Sequence, residues 1–108
     1  MAYGLVIDSI GNSCLTGFTS GNFPNIGGRT NAGVEDIFLA KLGIGGTLFW
    51  GTIIGNSGDN EGMGIILNPT EDSLFVTGFT EGNLDGQPSA GGYDTFLMKF
   101  DPDTGGLQ

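Results

Sequence analysis

The chain repeats itself at a period of about 60 residues. Leu15–Thr19 reads Leu-Thr-Gly-Phe-Thr and returns, with one substitution, as Val76–Thr80. Asp36–Leu42 returns as Asp94–Phe100, with Asp, Phe, Leu and Lys at matching positions. A unit that recurs at a fixed period cannot bury its apolar surface alone, so neighbouring copies cover one another. The repeat therefore constrains the architecture of the protein much more than its chemistry.

Each copy predicts short antiparallel β-strands separated by Gly, Asn, Asp and Pro. No stretch sustains an apolar period of 3.6 residues, because 22 glycines interrupt every long window. The predicted strands are Leu5–Ile7, Leu15–Thr19, Asp36–Leu42 and Leu48–Ile54 in the first copy, and Ile65–Leu67, Val76–Thr80 and Asp94–Phe100 in the second. The second copy reaches Gln108 where a fourth strand would begin.

Two features of these strands predict how the copies meet. Leu5–Ile7 and Ile65–Leu67 are aliphatic without alternation, which predicts strands covered on both faces. Gly17 and Gly78 lie mid-strand at matching positions, where a glycine marks the close approach of another backbone. We therefore expect a tight seam between the copies at these glycines.

The third strand of each copy alternates in polarity. Phe38, Ala40 and Leu42 share one face, and their counterparts are Phe96, Met98 and Phe100. Lys41 and Lys99 then point to the opposite face, together with a leucine in each copy.

Four antiparallel strands in an up-and-down meander, repeated at this spacing, are the design of a β-propeller blade. The sequence therefore predicts an all-β fold with about two blades per chain. Residues 1–62 form the first, four-stranded blade, and residues 63–108 form the second, with three strands and no outer strand.

Three segments resemble the bacterial SBBP-type β-propeller repeat: Thr16–Thr19, Asp36–Leu42 and Gly55–Ile65. The resemblance extends over nearly the whole chain. It implies a propeller fold, no catalytic motif, and an extracellular or cell-surface location. Propellers of that family use many blades in one chain, whereas fewer than two are found in this sequence.

Two blades alone would leave two apolar faces without a neighbour, which monomers rarely tolerate. We therefore expect the chain to bind copies of itself in a closed ring of three or more chains, or to bind neighbouring blades of a longer parent protein.

Composition excludes several classes of function. The chain has no histidine, so imidazole chemistry is absent, and its net charge of -9 offers no basic patch for nucleic acid. No apolar run approaches the roughly 20 residues of a membrane span, and no export leader is recognised. Cys14, the only cysteine, is predicted to be a buried small hydrophobe. We predict a protein that is not an enzyme and has no catalytic residues, cofactor or metal ligands.

Two acidic segments are candidate cation sites. Asp101–Gly106 begins like a calcium loop, but its fifth position is Gly105 and no bidentate glutamate follows, so a hairpin turn is predicted. Asp59 and Glu61 lie in the connection between the two copies. A solvated turn is the simpler interpretation there, and a small acidic or cation-binding site is the alternative.

Aromatic residues bear on sugar binding. Trp50 lies mid-strand beside Phe49 and is predicted to pack within the blade, whereas Tyr3 and Tyr93 are the better candidates for stacking on a sugar. The leading prediction is a structural or interaction module. The alternative is a lectin-like or cation-binding propeller that presents acidic loops, with glycan or calcium as its ligand.

Overall fold

Two antiparallel sheets form the fold. The computed structural model describes residues 2–19, 35–55, 58–81 and 93–108. Its strands are β1 (Ala2–Ile7), β2 (Ser13–Thr19), β3 (Asp36–Leu42), β4 (Leu48–Ile54), β5 (Asn60–Leu67), β6 (Leu74–Glu81) and β7 (Tyr93–Phe100). The first sheet has the order β1-β2-β3-β4 and the second β5-β6-β7, so each is an up-and-down meander. These ranges contain no helix, and the all-β prediction is confirmed.

Strand positions agree closely with those predicted from the sequence. The last strand of the first sheet has the predicted bounds, Leu48–Ile54, and β3 has the predicted bounds Asp36–Leu42. The second sheet begins earlier than expected, at Asn60, because β5 extends five residues before Ile65. The division of the chain at residue 62 stays a prediction. Near the end of the chain, Leu107 forms an isolated antiparallel bridge with Phe100, next to β7.

The sequence repeat is also a repeat of local structure. The Thr16 hydroxyl donates to the Phe38 carbonyl oxygen at 2.9 Å, and the Thr77 hydroxyl donates to the Phe96 carbonyl oxygen at 2.8 Å. A register irregularity also recurs, between Ala2 and Gly4 in the first sheet and at the matching place in β5. Each copy therefore builds its sheet with the same devices.

The turn that follows the first strand of each sheet is held by one side chain. Asp8 Oδ1 accepts hydrogen bonds from the backbone N–H groups of Ile10, Gly11 and Asn12. In the second sheet Asn68 takes its place, and its side-chain oxygen accepts from Asp72 N and Ser73 N. Asp and Asn both form such turns, and the second turn is one residue longer, closing from Asn68 N to the Ser73 carbonyl oxygen.

The core lies between the two sheets. Its buried members are Cys14, Ile37, Leu39, Ile54, Ile65, Leu74, Val76, Phe96, Met98 and Phe100, with Val6, Trp50 and Leu67 packed against them. β5 crosses the first sheet from Glu35, which bridges Asp59, to Gly4 in β1, where a side chain would meet Ile65. The large side chains of Phe96, Met98 and Phe100 in β7 belong to this core.

The predicted tight seam is present, and Gly17 contributes to it, since its carbonyl oxygen lies 3.4 Å from the position of a Cβ atom on Gly62. A Cβ atom at Gly78 would clash with the Glu61 carbonyl group, which belongs to its own sheet. Between the sheets, the close approaches occur at Gly62, where a Cβ would clash with the Thr16 hydroxyl, and at Gly4, where it would lie 3.1 Å from Ile65 Cγ2. For Gly78 the prediction was therefore wrong about which backbone approaches.

The prediction that the first strand of each sheet is covered on both faces was also wrong. Val6 and Ile65 turn toward the core, but Leu5, Ile7 and Ile66 point away from it and are 60–63% exposed. Among the described residues, nothing covers these outward side chains of β1 and β5, although Phe38 and Ala40 on the same face of the first sheet are buried.

The alternation predicted for the third strands is confirmed in β7. Phe96, Met98 and Phe100 are buried between the sheets, whereas Leu97 and Lys99 are exposed on the other face. β3 shows no such alternation in burial, because Asp36–Lys41 are all buried.

Candidate functional site

The acidic residues of the connection between the sheets lie beside Tyr3. Asn60 N donates to the Glu35 carbonyl oxygen at 2.8 Å, which fixes the start of β5 against the start of β3. The Glu35, Asp59 and Glu61 side chains are close enough to interact electrostatically, and the Tyr3 hydroxyl hydrogen-bonds to Glu61. Asp59 and Glu61 were predicted from the sequence as a candidate site. Glu35 was not, because it is distant in sequence and is brought close to them by the folding of the chain.

This acidic group raises the pKa of Glu61 and of the neighbouring Tyr3. Partial desolvation, the charge and hydrogen bond of Glu35, and the charge of Asp59 together raise the pKa of Glu61, although its bond with Tyr3 opposes the change. Partial desolvation and the two glutamates also raise the pKa of Tyr3. Across the described ranges, no three His, Cys, Asp or Glu side chains are placed to hold a metal ion.

Buried polar groups lie behind this cluster. Asn60 is fully buried and donates to the Glu35 and Gly58 carbonyl oxygens at 3.2 and 3.1 Å. Its side-chain oxygen accepts a short hydrogen bond from the Thr80 hydroxyl, and its amide lies 3.4 Å from Asp36 Oδ1. Because buried polar groups need partners, this network specifies how β5 docks on the first sheet.

The segment Asp101–Gly106 is a turn, as predicted. Asp101 Oδ1 accepts from Asp103 N at 2.8 Å, and Gly105 N donates to the Asp101 carbonyl oxygen at 2.7 Å. Gly105 has φ +74°, and a side chain there would clash with the Trp50 ring. The carboxylate of Asp101 thus stabilises the turn by accepting the hydrogen bond from Asp103 N.

This turn also joins the sheets. The Pro102 carbonyl oxygen accepts from Lys41 Nζ at 3.1 Å and from Trp50 Nε1 at 2.9 Å, and both donors belong to the first sheet. Trp50 is partly buried against the core, but its ring lies on the turn of the second sheet, so the prediction that it packs within its own blade was wrong about its neighbour. Only one acceptor is needed here for two donors, since a carbonyl oxygen has two lone pairs.

A cavity of about 350 Å³ opens beside this junction, lined in part by Asp8, Cys14, Lys41, Glu71 and Pro102. Lys41 Nζ lies 4.0 Å from Asp8 Oδ2. Burial raises the pKa of Cys14 to about 11, so its thiol stays protonated at neutral pH. The prediction of a buried Cys14 is confirmed, and the polar groups of the cavity already bind one another.

Of the two tyrosine candidates for sugar stacking, one can be placed. Tyr3 is 45% exposed and its ring lies 5.6 Å from the Phe18 ring, centre to centre. The side chain of Tyr93 lies outside the described residues.

Exposed aliphatic side chains lie on the faces of both sheets that are turned away from the core. We call Leu5 and Ile7 the first outer face, and Ile66 and Leu97 the second outer face. Leu5 and Leu97 are each 62% exposed. These side chains offer apolar contact area on both faces.

The sequence matches no known family model, and no curated protein is significantly similar to it. In the described parts of the chain, no helix is long and apolar enough to cross a membrane.

Proposed function

We propose that the protein is a non-enzymatic structural or interaction module, a segment of an SBBP-type β-propeller that is completed by copies of itself or by blades of a longer parent. The two sheets would then be consecutive blades, and the outer faces would be the surfaces on which further blades stack.

The observation that supports this proposal best is the use of opposite faces by the two sheets. Leu39 and Leu97 occupy matching positions in the repeat, yet Leu39 is 1% exposed and Leu97 is 62% exposed. The first sheet thus buries the face that the second sheet leaves open. Such head-to-tail stacking does not end by itself, because each new sheet presents the same open face again.

Light scattering of the wild-type chain at micromolar concentration tests the proposal. We expect an assembly of three or more chains, since a ring must close by rotation. A monomer would refute self-completion. Binding on a glycan array, or a calcium-dependent rise in Tm that EDTA reverses, would instead support the lectin-like or cation-binding alternative.

A further inference from the structure

Each outer face has a counterpart inside the molecule that is already covered. Leu5 matches Ile65, which is 9% exposed in the core, and Leu97 matches Leu39. The seam between the two sheets therefore contains the same positions that lie open on the two outer faces. It shows how the first outer face and the second outer face could pack on each other.

We propose that the second outer face of one chain binds the first outer face of a second copy of this chain, in the register of the internal seam. This inference rests on the proposed function and specifies its contacts. The occupant is a second copy of this chain because its first outer face matches the face of the second sheet that already packs in the internal seam.

The internal contacts predict contacts between chains. Inside the chain, Lys41 donates to the carbonyl oxygen of Pro102, eight residues after Asp94. The matching donor is Lys99, which is exposed, and the matching acceptor is Ile44, eight residues after Asp36. Lys99 of one chain therefore donates to the Ile44 carbonyl group of the next.

A second contact follows from the close approach at Gly62. There Thr16 of the first sheet meets Gly62 of the second. In the repeat, Thr77 matches Thr16, and Ala2 matches Gly62. Thr77 and Ala2 are both exposed. Thr77 of one chain thus lies against Ala2 of the next.

A two-fold arrangement fits less well than this head-to-tail one. It would place a second outer face on another second outer face, with two Lys99 ammonium groups in one seam and no turn carbonyl to accept from them. The head-to-tail arrangement gives each lysine an acceptor and leaves no like charges facing each other.

Complementation between two variants tests the direction of binding. Leu97→Asp disables the second outer face, and Leu5→Asp disables the first, so each variant alone should be monomeric by light scattering. Their equimolar mixture should form a dimer and stop there, because one intact pair of faces remains. Leu97→Met and Leu5→Met, which keep the volume and polarity, should retain the wild-type mass.

Cysteines placed in that dimer test the register. Ala2→Cys in the Leu97→Asp chain and Thr77→Cys in the Leu5→Asp chain should form a disulfide on mild oxidation. Exchanging the two cysteines between the chains gives the matched control, which should not cross-link. The buried Cys14 does not compete, since its pKa lies near 11.

The outcomes separate the two proposals. A wild-type monomer would overturn self-completion and this inference together. A wild-type oligomer that survives Leu5→Asp would overturn only the head-to-tail contact, as would a mixture that fails to dimerise although circular dichroism shows both variants folded. A dimer that cross-links in the exchanged arrangement would overturn the register.

Discussion

The two sheets carry matching residues with different surroundings. In the first sheet Leu39 and Lys41 are buried against the second sheet, while in the second sheet Leu97 and Lys99 face outward. The reverse holds on the other face, where Leu5 of the first sheet is exposed and its counterpart in the second sheet is buried. Burial in this chain is thus determined by the position of a sheet in the stack as well as by the residue. An exposed leucine whose counterpart is buried indicates where a further sheet would pack.

The largest difference in stability should be found between truncations of the two matched leucines, Leu39 and Leu97. Leu39→Ala removes a fully buried side chain and should lower the free energy of unfolding by about 2–5 kcal/mol. Leu97→Ala should cost under about 0.5 kcal/mol where the chain is dilute enough to be monomeric. Urea unfolding at two protein concentrations measures both. Equal losses from the two variants in the monomer would contradict the difference in burial.

Next in size is the matched pair of lysines. Lys41→Met should lower the free energy of unfolding by about 1.5–3 kcal/mol, because it removes a charge-assisted hydrogen bond to Pro102. Lys99→Met removes only an exposed ammonium group 6.0 Å from the centre of the Phe75 ring. In the monomer, urea unfolding should detect little change for Lys99→Met. If Lys41→Met changes the free energy of unfolding as little as Lys99→Met does, the hydrogen bond between Lys41 and Pro102 contributes no stability.

The smallest effect concerns two carboxylates with opposite pKa shifts. The pKa of Glu61 is raised, so its contribution to stability is present below pH 4.5 and is lost as pH rises through the folded-state pKa. For Asp8, desolvation opposes the shift but the hydrogen bonds from Asn12, Ile10 and Gly11 prevail, and the pKa is lowered. Its contribution is present above pH 3.8 and is lost as pH falls through the lowered pKa.

Glu61→Gln should therefore raise Tm at neutral pH by a small amount and leave it unchanged where Glu61 is already protonated. Asp8→Asn serves as the comparison, since it should lower Tm at neutral pH. Thermal unfolding followed from acidic to neutral pH measures both. Parallel curves for wild type and Glu61→Gln would show that the acidic cluster does not oppose folding.

Much of the fold could be predicted from the sequence, because its signals are local. Alternation in Asp94–Phe100 correctly predicted a buried row and an exposed row, and turn residues gave the ends of β4. What could not be predicted is set by packing between distant segments. The approach of Glu35 to Glu61, and the burial of Lys41 against Pro102, depend on how the second sheet lies on the first.

The glycines illustrate the same limit. A glycine in a strand indicates a close approach, but the sequence does not say whether the approaching backbone belongs to the same sheet or to the other. Gly78 meets its own sheet and Gly62 meets the first. The register of β5 is irregular between Gly62 and Gly64, and glycines inside a strand are a signal for such a bulge.

The mass of the mixed Leu5→Asp and Leu97→Asp chains tests most directly whether the open faces repeat the internal seam. Light scattering should give monomers for each variant alone and a dimer for the mixture. If Leu5→Asp alone keeps the mass of the wild-type assembly, the first outer face is not part of the contact and the central claim is contradicted.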